Sequence, residues 1–158
     1  MKKILVGVTA SALMFANVVL PAFAAATPKA TGGLTLGSPD QQVSFNAFDY
    51  GASTSDKGKV EYQNFEYPGG LHYNADVLCA NVKGDDAWFM YQIPEGFPGL
   101  SGLYVVSHVR DGGSPGTNGD VYGHTATADL AVATNWCENG TAPVSHYSIT
   151  GGNLVVHN

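Results

Sequence analysis

Basic residues are scarce in this chain. Seven Lys and Arg stand against thirteen Asp and Glu over 158 residues, a formal net charge of −6. The few cations are scattered, so no cationic track exists for a phosphate backbone, and the aromatic-basic platform that stacks single-stranded bases is missing. Nucleic acid and anionic membrane surfaces are therefore excluded as partners. Cysteine is equally sparse, at two residues. With no C-x-x-C, and no His within four positions of Cys79 or Cys137, neither a redox pair nor a zinc knuckle can be drawn. Long apolar runs are absent beyond the first two dozen residues, and so is a stretch of a dozen residues that keeps a helical apolar face free of Gly or Pro. The nearest is 126–136, where Thr125, Thr127 and Asp129 alternate with Ala126, Ala128 and Leu130 and favour a strand.

What is present begins with MKKILVGVTASALMFANVVLPAFAAATPKA. Lys2 and Lys3 precede an apolar run that ends in Ala22-Phe23-Ala24, the pattern of a secretory signal peptide spanning 1–24. Thr9, Ser11 and Asn17 interrupt the run, which argues against a membrane anchor. Cleavage would remove two of the seven cations, leaving five against thirteen anions and a net charge of −8. The mature protein is expected outside the cytoplasm, secreted or periplasmic, without membrane insertion. In an oxidising compartment an even pair of cysteines defaults to a disulfide, Cys79–Cys137. Closing so long a loop stabilises the fold by roughly 4 kcal/mol in the chain-entropy model.

The rest reads as a flexible linker over 25–33 followed by one domain over 34–158. Short runs rich in Val, Tyr, Phe and Thr are separated by Gly, Pro, Asn and Asp clusters, the pattern of an all-β chain. Val43, Phe45 and Ala47 share one parity; Val60 and Tyr62, then Ala87, Phe89, Tyr91 and Ile93, then Leu103, Val105, Ser107 and Val109 do the same. Leu71 to Val82, Val121 to Ala133 and Tyr147 to Val156 supply further candidates. About seven to nine such strands predict a single antiparallel β-sandwich or flattened barrel.

Several short motifs recur in one order: Gly58-Lys59-Val60-Glu61-Tyr62, Val77-Leu78-Cys79-Ala80-Asn81-Val82-Lys83-Gly84, Asp111-Gly112-Gly113-Ser114-Pro115-Gly116 with Asp120, and Gly152-Asn153-Leu154-Val155-Val156-His157. In that order the chain resembles the post-COAP-type β-domain of exported bacterial proteins. The resemblance implies an exported all-β domain and carries no activity or catalytic residue with it.

The loop RDGGSPGTNGD, residues 110–120, contains a formal G-x-S-x-G. A nucleophile elbow needs the backbone N–H of the residue after the serine and a helix behind it. Pro115 follows Ser114 and has no N–H, and Gly116, Asn118 and Gly119 forbid an immediate helix. Asp111, Asn118 and Asp120 offer oxygen ligands for calcium, although not in EF-hand spacing; the alternative is a turn closed by Asx bonds. The five histidines show no H-x-H or H-x-x-x-H spacing, Asp85-Asp86 reads as a turn, and Glu61 and Glu66 lie on opposite parities of one run. Trp88, Tyr91 and Trp136 are the candidate ligand-binding aromatics if they share an exposed face. No catalytic set assembles. The expected function is a non-catalytic binding, adhesive or envelope-structural module, with a carbohydrate- or calcium-dependent ligand module as the sharper alternative and an extracellular hydrolase disfavoured. The partner would be a protein or glycan ligand, and no cofactor other than calcium is expected.

Overall fold

Alternating apolar and polar side chains can bury one face only as strands. The computed structural model describes residues 26–37, 40–51, 56–113 and 118–158. It contains β1 (Lys29–Gly37), β2 (Asp40–Phe48), β3 (Lys57–Asn64), β4 (Leu71–Lys83), β5 (Asp86–Gln92), β6 (Tyr104–Arg110), β7 (Val121–Thr127), α1 (Leu130–Asn139), β8 (Ser145–Tyr147) and β9 (Ile149–His157). The strands form one antiparallel sheet in the order β8-β7-β6-β5-β4-β3-β2-β1-β9. From β1 to β8 each strand lies beside its neighbour in sequence, and β9 returns to β1. Ser148 alone separates β8 from β9, so one continuous stretch of chain borders both ends of the sheet. The sheet is thereby a nearly closed barrel, which hides most of the edge that an open sheet would expose. The signal peptide predicted over 1–24, and Ser114 to Gly116 of the formal G-x-S-x-G, lie outside the described residues.

The barrel interior is the predicted parity of β2, β3, β5 and β6. Val43, Val60, Phe89, Tyr91, Val109 and Tyr122 meet there in one apolar cluster, and Phe45 stacks on Phe89 with ring centroids 4.7 Å apart. One departure from strict alternation has large effects. Leu71, Tyr73, Ala75 and Val77 of β4 point inward, and the same parity would send Cys79 inward too. The register of β4 on β5 passes instead from Val77↔Tyr91 directly to Cys79↔Met90. Leu78 is the extra residue of a β-bulge, and beyond it the faces exchange. Cys79 and Asn81 point out, while Ala80 and Val82 point in.

Outside the barrel, Cys79 joins Cys137 of α1 in the expected disulfide, with Cα atoms 6.4 Å apart. Asn81 Nδ2 donates to the carbonyls of Cys137 and Glu138 at 2.9 and 2.7 Å, helping to satisfy the last acceptors of the helix C-terminus. Met90, Val106 and Ala133 complete this small outer core.

The long strand β4 outruns β3, whose pairing with it stops at Lys59↔Asp76. Its unpaired backbone donors would cost free energy if left without acceptors. Asp56 Oδ2 accepts from Ala80 N–H at 2.8 Å and Asp49 Oδ2 from Val82 N–H at 2.9 Å, so two carboxylates stand in for the missing strand.

Two expectations fail. The linker predicted over 25–33 is already strand from Lys29, because β1 has partners on both sides, β2 and β9. The strand expected from Val121 to Ala133 stops at Thr127, and Leu130–Asn139 is helical. Asp129 caps that helix by accepting from Ala131 N–H and Val132 N–H, and Gly140 ends it with φ 66°. These caps outweigh the weak alternation of the segment. Replacing both cysteines with alanine is expected to lower unfolding stability by about 2–4 kcal/mol in urea titrations while leaving the β signal in circular dichroism intact.

Candidate functional site

Because the strands alternate up and down, the β1–β2, β3–β4 and β5–β6 connections and the exit of β7 share one end of the barrel. A cavity of about 280 Å³ opens there, among Gln41, Tyr62, Asn64, Tyr67, Leu71, Tyr73, Tyr91, Ile93, Leu100, Leu103, Val105, His124, Ala126 and Tyr147. Five of these are tyrosines. Tyr62 stacks on Tyr73 at 5.4 Å, and Tyr147 leans on His124 at 4.9 Å.

Three buried polar atoms in this wall have no hydrogen-bond partner: Gln41 Oε1, Tyr91 Oη and His124 Nδ1. Gln41 is 2% exposed and Tyr91 fully buried. Tyr73 and Ser107 are the polar neighbours of the Tyr91 hydroxyl, yet neither reaches hydrogen-bond geometry. His124 Nε2 lies 3.3 Å from the Tyr147 hydroxyl. Whichever tautomer that contact selects, one ring nitrogen is left unpaired. An unsatisfied buried polar group costs about 1–3 kcal/mol, so three in one cavity are an unusual concentration.

The cavity is electrically neutral. No Asp, Glu, Lys or Arg lines it. Burial pushes Tyr62 up to about 12 and raises Tyr73, Tyr91 and Tyr147 as well, so the phenols keep their protons. Burial also depresses His124 from 6.5 to about 4, leaving its ring uncharged at neutral pH.

A second constellation lies on the outer wall. Trp88, His108, Gly123 and His146 are successive cross-strand neighbours on β5, β6, β7 and β8. Trp88 stacks on His108 with centroids 4.7 Å apart. His108 Nε2 lies 2.7 Å from Asp86 Oδ1, which also accepts from Arg110 Nε at 2.9 Å. Burial alone would raise Asp86, but the hydrogen bonds from His108 and Arg110 outweigh it and hold the carboxyl below its usual range. Asp86, expected in a turn, is instead the first residue of β5. Its role is invisible in sequence because His108 and Arg110 reach it only through the β5–β6 register.

The predicted site residues are dispersed. Asp111 Oδ1 accepts from Gly113 N–H at 2.7 Å and its Oδ2 from Val156 N–H of β9 at 3.1 Å, while Asp120 Oδ1 accepts from Gly112 N–H at 2.9 Å. These are the bonds of a closed turn, and they leave Asp120 Oδ2 buried without a partner. Asn118 is exposed. Among the described residues no three His, Cys, Asp or Glu side chains gather as a metal site. Trp88, Tyr91 and Trp136 do not share a face: Tyr91 is inside the barrel, Trp88 is on the outer wall, and Trp136 belongs to α1 and packs on the outer core. The cavity was missed because Gln41 and His124 carry no motif; the only sequence signal was polar residues on inward parities.

The His124 shift has a pH consequence. The unfolded chain takes up a proton near 6.5 and the folded protein only near 4, so stability is complete above pH 6.5 and falls as pH drops from 6.5 towards 4, by at most about 3 kcal/mol. Melting curves across this window should show the fall, and His124→Gln should flatten it; an equal slope in the variant would refute the assignment. No family model, curated protein or solved structure matches this chain.

Proposed function

We propose that this protein is a non-catalytic binding module that takes a small, neutral, ring-shaped ligand bearing hydroxyl or amide groups, of monosaccharide size, into the mouth of its barrel. The observation that carries this reading is that Gln41, Tyr91 and His124, which line one cavity, each carry a buried unpartnered polar atom, Oε1, Oη and Nδ1. Buried polar groups are ordinarily paired, and a cavity that leaves three unpaired is suited to an occupant that pairs them. The uncharged lining favours a neutral ligand, since a charge would lose its hydration without gaining a counter-ion. Tyrosine faces suit the C–H face of a sugar or another flat ring. The volume, about 280 Å³, is nearly twice the ~150 Å³ that accommodates benzene in an engineered apolar cavity.

The expected exported location accords with the disulfide. No helix among the described residues is long and apolar enough to cross a membrane.

The test is protein-observed NMR on the full chain with glucose, galactose and N-acetylglucosamine, together with phenol as an apolar ring. Saturable shifts confined to residues around Gln41, Tyr91 and His124 are expected for at least one sugar. Tyr91→Phe should weaken that binding about tenfold, the loss of one hydrogen bond of about 1–1.5 kcal/mol. The same change should leave the ligand-free protein as stable or more so, because it deletes an unsatisfied hydroxyl. Absence of saturable shifts with every sugar would overturn the reading.

A further inference from the structure

The geometry points to a two-histidine site for an imidazole-preferring divalent metal ion on the outer wall, with His108 Nδ1 and His146 Nε2 as its ligands. Those two nitrogens lie 3.3 Å apart. A tetrahedral ion with metal–nitrogen bonds of about 2.0–2.1 Å sets neighbouring ligand nitrogens about 3.3 Å apart, so an ion fits between the rings with little rearrangement.

Two further features prepare the pair. Asp86 sits 2.7 Å from His108 Nε2. It therefore holds the proton on that nitrogen and leaves the Nδ1 lone pair directed at His146, as an outer carboxylate does for a metal-bound histidine. Trp88 stacks on the His108 ring and fixes its plane. Gly123 lies between the two histidines in the cross-strand row, and a Cβ there would stand 2.8 Å from His146 Cδ2 and 2.7 Å from the Ser145 carbonyl. A larger residue would push β8 and the imidazole away from His108. His108 is 7% exposed whereas His146 is exposed, so the site has a fixed inner ligand and an accessible outer one. Arg110 brings a positive charge, but it is bonded to Asp86, and the two charges offset each other.

Two protein ligands leave coordination positions for water or an exogenous donor. Imidazole nitrogen suits copper(II), nickel(II) and zinc(II), and copper(II) should bind most tightly in the usual order of affinities.

The experiment titrates chelator-treated full-length protein with copper(II), reading tryptophan fluorescence and electron paramagnetic resonance, and repeats the titration with zinc(II) by calorimetry. One saturable equivalent is expected, with nitrogen hyperfine structure from two imidazoles and quenching of tryptophan emission. His146→Ala, a change at an exposed side chain, should weaken binding at least tenfold with an unchanged circular dichroism spectrum. His72→Ala, at an exposed histidine paired with Glu61, should leave affinity unchanged. Gly123→Ala should weaken binding while both ligands remain. Lack of saturable binding below millimolar metal, or binding unaffected by His146→Ala, would overturn the site and leave the contact a hydrogen bond between two imidazoles.

Discussion

The outer half of this molecule depends on one extra residue. Leu78 is unpaired in the β4–β5 ladder, and everything after it on β4 faces the opposite way from what simple alternation dictates. Cys79 is thereby available to Cys137, Asn81 reaches the last carbonyls of α1, and the helix acquires a seat. The helix has little means of holding that seat alone, since its buried residues are Ala133 and Cys137. Gly140 closes it beside Trp88, where a Cβ would stand 3.1 Å from the indole. The bulge, the bridge and the cap thus act together to fix one short helix on an otherwise solvated wall.

The two candidate surfaces obey different physical demands. Inside, closure of the sheet removes water from phenols and an imidazole, and the resulting shifts all favour neutral groups. Outside, a carboxylate and a guanidinium in one cross-strand pair meet two imidazoles of a neighbouring row, where charge is balanced locally and one imidazole remains in solvent. The same strands serve both, because adjacent residues face opposite ways: His108 and Ser107 on β6, Gly123 and His124 on β7, His146 and Tyr147 on β8.

Sequence reading captured what depends on period and on composition. The parities of β2, β5 and β6 were legible from residues such as Val43, Phe89 and Val105, and the Cys79–Cys137 bridge followed from compartment and number. Features that depend on register were not. His108 and His146 lie 38 positions apart and meet only because each pairs beside Gly123. The cavity draws Gln41, Tyr91 and His124 from β2, β5 and β7, and no local pattern relates those strands. The helix was hidden for another reason. Asp129 and Gly140 cap it in the fold, but its face is too slight to display a helical period over ten residues.

The pairing of β1 with β9 also governs how the chain can fold. Lys29 lies opposite His157, so the first and last described strands are neighbours, and the ladder between them closes a loop of nearly the whole domain. Such a contact contributes heavily to mean sequence separation, which slows folding. The meander from β1 to β7 is a series of hairpins whose contacts are local, whereas β8 follows only after α1. The β1–β9 ladder is the pairing that spans the domain, and without it the hydrogen-bonding groups of β1 that face away from β2 would be an unprotected edge.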